Sequence, residues 1–315
     1  MSQKQFFLSL LSFLIVSTSS CLSPKSKTNK LIIHKSKNFN ISYDLADADA
    51  KYKLPGKLIE ISGLSIMNDT TIACVQDELG ELYNFNLNKS VITSRTPFGK
   101  EGDYEGVACA DSLLYVLRSS GKIYEVKHFK EDSQSTVKYR TPLRKVNNPQ
   151  GMTYDSANKR LLIASNGLIG DKKSVENTRA IYAFDLQKKE LDTIPVLSFT
   201  IDDIYDFLNV GSIEKTSEQF SKFFSKGDGG ILAFETSGIG IHPVSGDYYM
   251  VSSKDNFFMI LSKKGKFRYI RQLDAKLFRK PEGITFLSNG DLFISNEGMN
   301  EIANITRFNY VKDID

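Results

Sequence analysis

A short glycine-centred motif recurs five times along this chain: ISGLSI at 61–66, YEGVAC at 104–109, PQGMTY at 149–154, TSGIGI at 236–241 and PEGITF at 281–286. Each copy has a small or polar residue, a glycine, and then alternating apolar positions. The glycines, Gly63, Gly106, Gly151, Gly238 and Gly283, are spaced by 43, 45, 87 and 45 residues. A repeat of this length matches one propeller blade, about 40 to 50 residues. After each copy come a second apolar run (72–75, 113–117, 161–164, 248–251, 292–294), a polar turn, and a third run (80–87, 122–126, 179–186, 257–261). Fourth runs lie at 91–96, 137–139, 195–201 and 267–273. Short segments rich in Ile, Val, Tyr and Phe, broken by Gly, Asn and Asp, are strand and turn signals. The fold class is therefore all-β, a β-propeller of four-stranded blades.

The 87-residue interval equals two periods, so six blades are the alternative to the five that can be counted. Within it, 202–226 reads as a helical insertion: Thr216 and Gln219 fit a capping box, and Phe220, Phe223 and Phe224 form an apolar stripe. The fifth copy ends one strand short, after 302–308. The alternating segment 39–43 is expected to supply the missing outer strand and join the chain ends, leaving no open edge.

Inner strands of a propeller converge on an axis whose mouth is lined by loops. The residues preceding the motif glycines, Ser62, Glu105, Gln150, Ser237 and Glu282, should lie near it. The turns after the second runs bring Asp77, Glu78, Arg118, Asn166, Lys254, Asp255, Asn296 and Glu297 toward the same end. From these, Glu105, Glu282, Asp77, Asn166, Asn296, Glu297 and Arg118 form the candidate ligand or metal site. Carboxylate and amide oxygens suit a hard divalent cation, so Ca²⁺ is the candidate ion. The structural alternative is that Asn and Asp simply serve the turns and the glutamates tie neighbouring blades. Arg118 and Lys254 suit an anion or pair with the acids. Catalytic signatures are sparse. There are three histidines, no Gly-x-Ser-x-Gly elbow, no Walker motif and no HExxH.

Residues 1–20 read as a signal segment: Lys4, then an apolar run over 6–16, then small residues before Cys21. The apolar run is too short to span a bilayer permanently. A cysteine after small residues resembles the lipobox of bacterial lipoproteins, which implies cleavage before Cys21 and its lipidation. Residues 21–37, with five lysines, read as a flexible tether, leaving 38–315 as the propeller domain. Basic residues there favour an anionic lipid surface. Cys74 and Cys109 lie in apolar runs and are expected as free thiols. At 315 residues, 41% hydrophobic and 25% charged, the composition is globular. A net charge of +4 excludes a dedicated nucleic-acid binder.

Taken together, EISGLS (60–65), VQDELGELY (75–83), GDYEGVA (102–108), LYVLRSSGKIYEV (114–126), SGIGIHPVSGDYYMVSSKDN (237–256) and KPEGITFLSNGDLFISNEG (280–298) resemble the SdiA-regulated family of bacterial envelope propellers, whose repeats are similar in style to NHL and strictosidine-synthase-like repeats. The resemblance implies a propeller fold and a cell-envelope location, lipid-anchored, and transfers no catalytic machinery. More distant calcium-dependent gluconolactonase-like propellers place a Glu beside a blade-start Gly with Asn and Asp ligands. Glu105 or Glu282 with Asn166 and Asn296 would be the counterparts. The functional expectation is a lipid-anchored binding or scaffold module taking a small molecule, a glycan or an envelope protein at the channel mouth. The alternative is a metal-dependent hydrolase of an ester, lactone or phosphate.

Overall fold

A computed structural model describes residues 31–127, 129, 133–209 and 232–312. The lipobox, Cys21, the first part of the tether, His128 and the helical signals at Thr216 to Phe224 lie outside them.

The described chain opens with two short strands, β1 (Ile33–Lys35) and β2 (Ala50–Lys53). Blade 1 follows as β3 (Ile61–Asn68), β4 (Thr71–Gln76), β5 (Glu81–Asn86) and β6 (Val91–Pro97). Blade 2 is β7 (Tyr104–Ala110), β8 (Leu113–Arg118), β9 (Lys122–Lys127) and β10 (Ser135–Arg140). Blade 3 is β11 (Met152–Asp155), β12 (Arg160–Asn166) and β13 (Thr178–Asp185), with its outer place shared by β14 (Glu190–Leu191) and β15 (Leu197–Thr200). Helix α1 (Ile201–Asn209) comes next. Blade 4 is β16 (Gly238–Ile241), β17 (Tyr248–Ser252), β18 (Phe257–Leu261) and β19 (Phe267–Gln272). Blade 5 is β20 (Pro281–Phe286), β21 (Leu292–Asn296) and β22 (Asn304–Phe308). The result is five antiparallel sheets, one per motif copy. The inner strands β3, β7, β11, β16 and β20 each contact the next, and β20 contacts β3, so the ring is closed.

Two expectations from sequence are corrected. The outer strand of blade 5 is β2, not 39–43: Ala50 to Lys53 pair with Arg307 to Asn304, and Tyr52 stacks on Phe293 with ring centroids 6.4 Å apart. Residues 39–43 instead act as a strap across blades 4 and 5. Phe39 packs on Tyr269, and Tyr43 is buried among the rings of His242, Tyr249 and Tyr310. Their apolar side chains satisfy a core, and pairing is left to the next alternating segment. The folded unit also begins earlier than residue 38. It runs from Leu31, and β1 adds a fifth strand to blade 4 beside β19. The edge strand β19 offered unpaired backbone groups, and residues 33–35 cover them. The insertion after blade 3 does begin as a helix, α1, which buries Ile201, Ile204 and Leu208. Cys74 is fully buried and Cys109 partly so, and no disulfide joins them. Among the described residues no helix is long and apolar enough to cross a membrane.

The axis is closed by backbone. A Cβ on Gly63 would stand 2.6 Å from the Gly106 Cα, and one on Gly151 would stand 2.7 Å from the Ile239 nitrogen. Gly106, Gly238 and Gly283 face the following blade in the same way. Serine hydroxyls reinforce these seams. Ser62 donates to the Glu105 carbonyl (3.1 Å), Ser237 to the Pro281 carbonyl (2.7 Å) and Ser295 to the Ser62 carbonyl (3.1 Å). What remains at the centre is a cavity of about 10 Å³, roughly one water molecule. Replacing Gly63 or Gly151 by Ala should destabilise the fold by about 3 kcal/mol or more, because the obstacle is backbone and cannot rotate away. Urea unfolding of the two variants measures this; an unchanged midpoint would contradict the tight axial packing.

His242 locks the seam between blades 4 and 5. Its Nδ1 accepts from the Val244 and Ser245 amides (3.3 and 3.1 Å), so the proton sits on Nε2, which donates to the Tyr43 hydroxyl at 2.8 Å. Tyr43 in turn donates to the Gly290 carbonyl. Burial lowers the His242 pKa to about 4, from 6.5. The unfolded chain therefore takes up a proton that the folded chain refuses, and stability falls as pH drops from about 6.5 to 4. His242→Asn should lower the urea midpoint at pH 7 yet show a shallower decline between pH 6.5 and 4 than the wild type.

Candidate functional site

Antiparallel pairing puts the start of each inner strand beside the end of the second. Ile61 faces Gln76, Tyr104 faces Arg118, Gly238 faces Val251 and Pro281 faces Asn296. All the sequence-selected positions therefore gather at one end of the axis. Three inner strands are irregular at that point: the register shifts between Ile61 and Leu64, Tyr104 and Gly106, and Pro281 and Ile284. The extra residues are Ser62, Glu105 and Glu282, with the motif glycines. A bulge re-aims the side chain it carries, and here Glu105 and Glu282 both line the central cavity together with Ser237.

The two glutamates are tuned differently. Burial pushes Glu105 up to about 9. A hydrogen bond to Asp103 and the nearby charges of Asp103, Glu282 and Asp77 act in the same direction. Burial also raises Glu282, but only to about 7, because Lys280 opposes it. Lys280 Nζ stands 3.2 Å from Glu282 Oε1 and also donates to Glu297. Burial would lower the lysine, but its hydrogen bond to Glu297 and the charge of Glu282 hold it above its usual range. Asp103 and Lys280 are equivalent positions, each two residues before the bulged glutamate. An acid there keeps Glu105 protonated; a cation there lets Glu282 ionise near neutrality. Asp77 is raised to about 6 by burial and by the charges of Glu60, Glu297 and Glu78. Its Oδ1 has no hydrogen-bond partner.

The other sequence candidates divide. Glu297 joins the cluster through Lys280. Asn166 and Asn296 are buried in the sheets. The Asn166 carbonyl accepts from Asn147, and Asn296 Nδ2 donates to Asn304 Oδ1 at 3.1 Å. Arg118 lies over the Tyr104 ring, 5.9 Å from its centre. Lys254 and Asp255 serve the neighbouring loop. Lys254 pairs with Glu235, and Asp255 accepts from the Ala233 and Phe234 amides, both at 2.9 Å. The buried Arg179 guanidinium holds that loop from the other side through the carbonyls of Ala233 and Phe234. Sequence reasoning passed over Lys280, Asp103 and Arg179. The spacing of two shared by Asp103–Glu105 and Lys280–Glu282 was the available signal for the first two.

These donors do not form a ready calcium site. Among the described residues no group of three or more His, Cys, Asp or Glu is arranged to hold a metal ion. Glu105 is protonated at neutral pH, and the Lys280 ammonium already occupies the space between Glu282 and Glu297. The arrangement is suited to holding a proton on one carboxyl and exchanging it on a second, in a desolvated mouth.

Fold and site together define a five-bladed β-propeller with a closed axis and an acid-lined mouth. No family profile and no curated protein matches the chain. Solved propellers do resemble it in fold. The glutaminyl cyclase of Myxococcus xanthus aligns over 85% of this chain and 97% of its own, with a TM-score of 0.53 at 12% identity. A streptogramin B lyase aligns over 83% and 97% (TM-score 0.43, 10% identity). The virginiamycin B lyase of Staphylococcus aureus aligns over 84% and 74% (TM-score 0.41, 12% identity). At these identities the likeness is one of fold.

Glu105 keeps its proton to about pH 9 in the folded chain, against an ordinary value of 4.5. Folding therefore retains a proton over that interval, and stability falls as pH rises through it. Glu105→Gln should remove the penalty. Its melting temperature should exceed that of the wild type at pH 9 and vary less between pH 5 and 9; a parallel pH profile for the two proteins would contradict the assignment.

Proposed function

We propose that this chain is a cell-envelope propeller, anchored through lipidated Cys21, that binds a small polar ligand at the mouth of its axis. The observation that carries the reading is that Glu105 and Glu282, each displaced by a bulge, face one cavity with different proton affinities. The cavity itself admits about one water, so the ligand rests on the mouth and does not thread the ring. A protonated Glu105 offers a donor, while Glu282 and Asp77 offer acceptors, which favours ligands bearing hydroxyl, amide or ammonium groups. A divalent ion would have to remove the Glu105 proton and displace Lys280 from its carboxylates, so Ca²⁺ is the weaker candidate. The resemblance to SdiA-regulated envelope propellers agrees with a binding role at the cell surface.

A second reading is enzymatic. Glu282 near 7 beside a protonated Glu105 supplies a general base and a general acid at neutral pH. The fold-level likeness to a glutaminyl cyclase adds an enzyme of the same architecture. This reading needs no metal, in contrast to hydrolysis by a metal-bound water.

Thermal-shift titration with sugars, amino acids, diamines, short peptides and Ca²⁺ tests both. At least one organic class should raise the melting temperature of the wild type and leave Glu282→Gln unmoved, and EDTA should have no effect. Turnover of that compound, lost in Glu282→Gln with a pH optimum near 7, would favour the enzyme. A panel flat in the wild type overturns the mouth as a binding site.

A further inference from the structure

The end of blade 4 opposite the mouth carries a concentration of positive charge. The two segments that meet there, 31–40 and 261–273, contain seven Lys and Arg and no acid; Arg271, opposite Ile33, lies toward the mouth, and the other six lie toward this end. They are brought together by the pairing of β1 with β19, where Lys35 faces Tyr269, and by the Ser36 amide donating to the Arg268 carbonyl at 2.8 Å. That register carries Lys37 toward the turn 262–266, which holds Lys263, Lys264 and Lys266. All five lysines are exposed. Among the described residues only Arg268 of these seven meets a carboxylate, Asp247 at 3.3 Å. The adjacent turn of blade 4 presents Val244, 59% exposed, and a Cβ on Gly246 in that turn would lie 3.9 Å from the Lys263 side chain. Basic side chains around an exposed apolar tip are the composition of an interfacial surface.

We infer that this end of blade 4 docks on an anionic lipid bilayer and holds the propeller with its mouth facing away from the membrane. The inference rests in part on the anchor reading. From Cys21 to Leu31 the chain can extend about 35 Å. Leu31 enters at the mouth end of β1, about 13 Å of strand from Lys35, so an anchor at Cys21 permits the far end to reach the lipid. Charge complementarity selects the occupant: each cation near an anionic leaflet contributes about 1 kcal/mol, roughly fivefold in binding. The consequence is a mouth presented to solutes and not to lipid.

The test uses the chain from residue 31 onward, which retains every described strand as one compact unit, so neither the anchor nor the tether lysines contribute. Co-sedimentation with vesicles of phosphatidylcholine plus phosphatidylglycerol should show binding that neutral vesicles and high salt abolish. Lys263→Glu, Lys264→Glu and Lys266→Glu together should weaken it at least tenfold. Reversing Lys172, Lys173 and Lys188 on blade 3 should change it less than twofold. Equal binding to neutral vesicles, or equal losses from the two triple variants, overturns the proposal. Melting temperatures of both variants check folding. Palmitate labelling of the full chain and of Cys21→Ala tests the anchor separately, so failure of that reading is distinguishable from failure of the docking surface.

Discussion

The close approach of five glycine-bearing strands around the axis is the constraint on which everything else depends. Gly63 abuts Gly106, Gly151 abuts Gly238, and Gly238 abuts Gly283. At these separations no side chain fits, so the blades are drawn to one radius and the ring closes on itself. Closure leaves each sheet only short, protected edges. It also leaves the bulged Glu105 and Glu282 facing the mouth, while the Ser62 and Ser237 hydroxyls turn into the seams. The same packing that stabilises the centre thus delivers Glu105 and Glu282 to a desolvated site.

Burial of like charges is costly unless protons or cations intervene, and this protein uses both. On blade 2 an aspartate sits two residues before the bulge, and Glu105 stays protonated. On blade 5 a lysine sits there, and Glu282 titrates near neutrality. Repetition of the scaffold with variation at one position therefore yields two carboxyl groups with separate tasks. Elsewhere, two buried ionic groups find partners within the fold: Arg179 in backbone carbonyls, and Glu125 in Lys189, Lys127 and the Tyr115 hydroxyl. Those groups stabilise blades 2 to 4 and leave the unbalanced acids at the mouth.

The two ends of the propeller differ in kind. The mouth is acidic, narrow and built from strand starts and bulges. The opposite end of blade 4 is basic and built from hairpin turns. A strand of four or five residues separates them, so one domain carries an acidic end and a basic end.

Much of the architecture was legible in the sequence because it is written in local terms. A motif spaced at about 44 residues, period-two alternation and Gly/Asn/Asp turns located all five blades and nearly every strand, and placed the glutamates at one end. What sequence could not determine was which segments pair across long separations. Residues 39–43 and 50–53 both alternate, but only the second has Tyr52 positioned to stack on Phe293, while Tyr43 is drawn into the core by His242. Residues 33–35 look like tether until the edge of β19 is seen to need a partner. Likewise, acidic residues suggested a metal by composition, whereas the structure set Lys280 between two of them and left Glu105 protonated. Fold class follows from local pattern because strand and turn preferences are local. The protonation and pairing of the site follow from distance and burial, which only the closed ring decides.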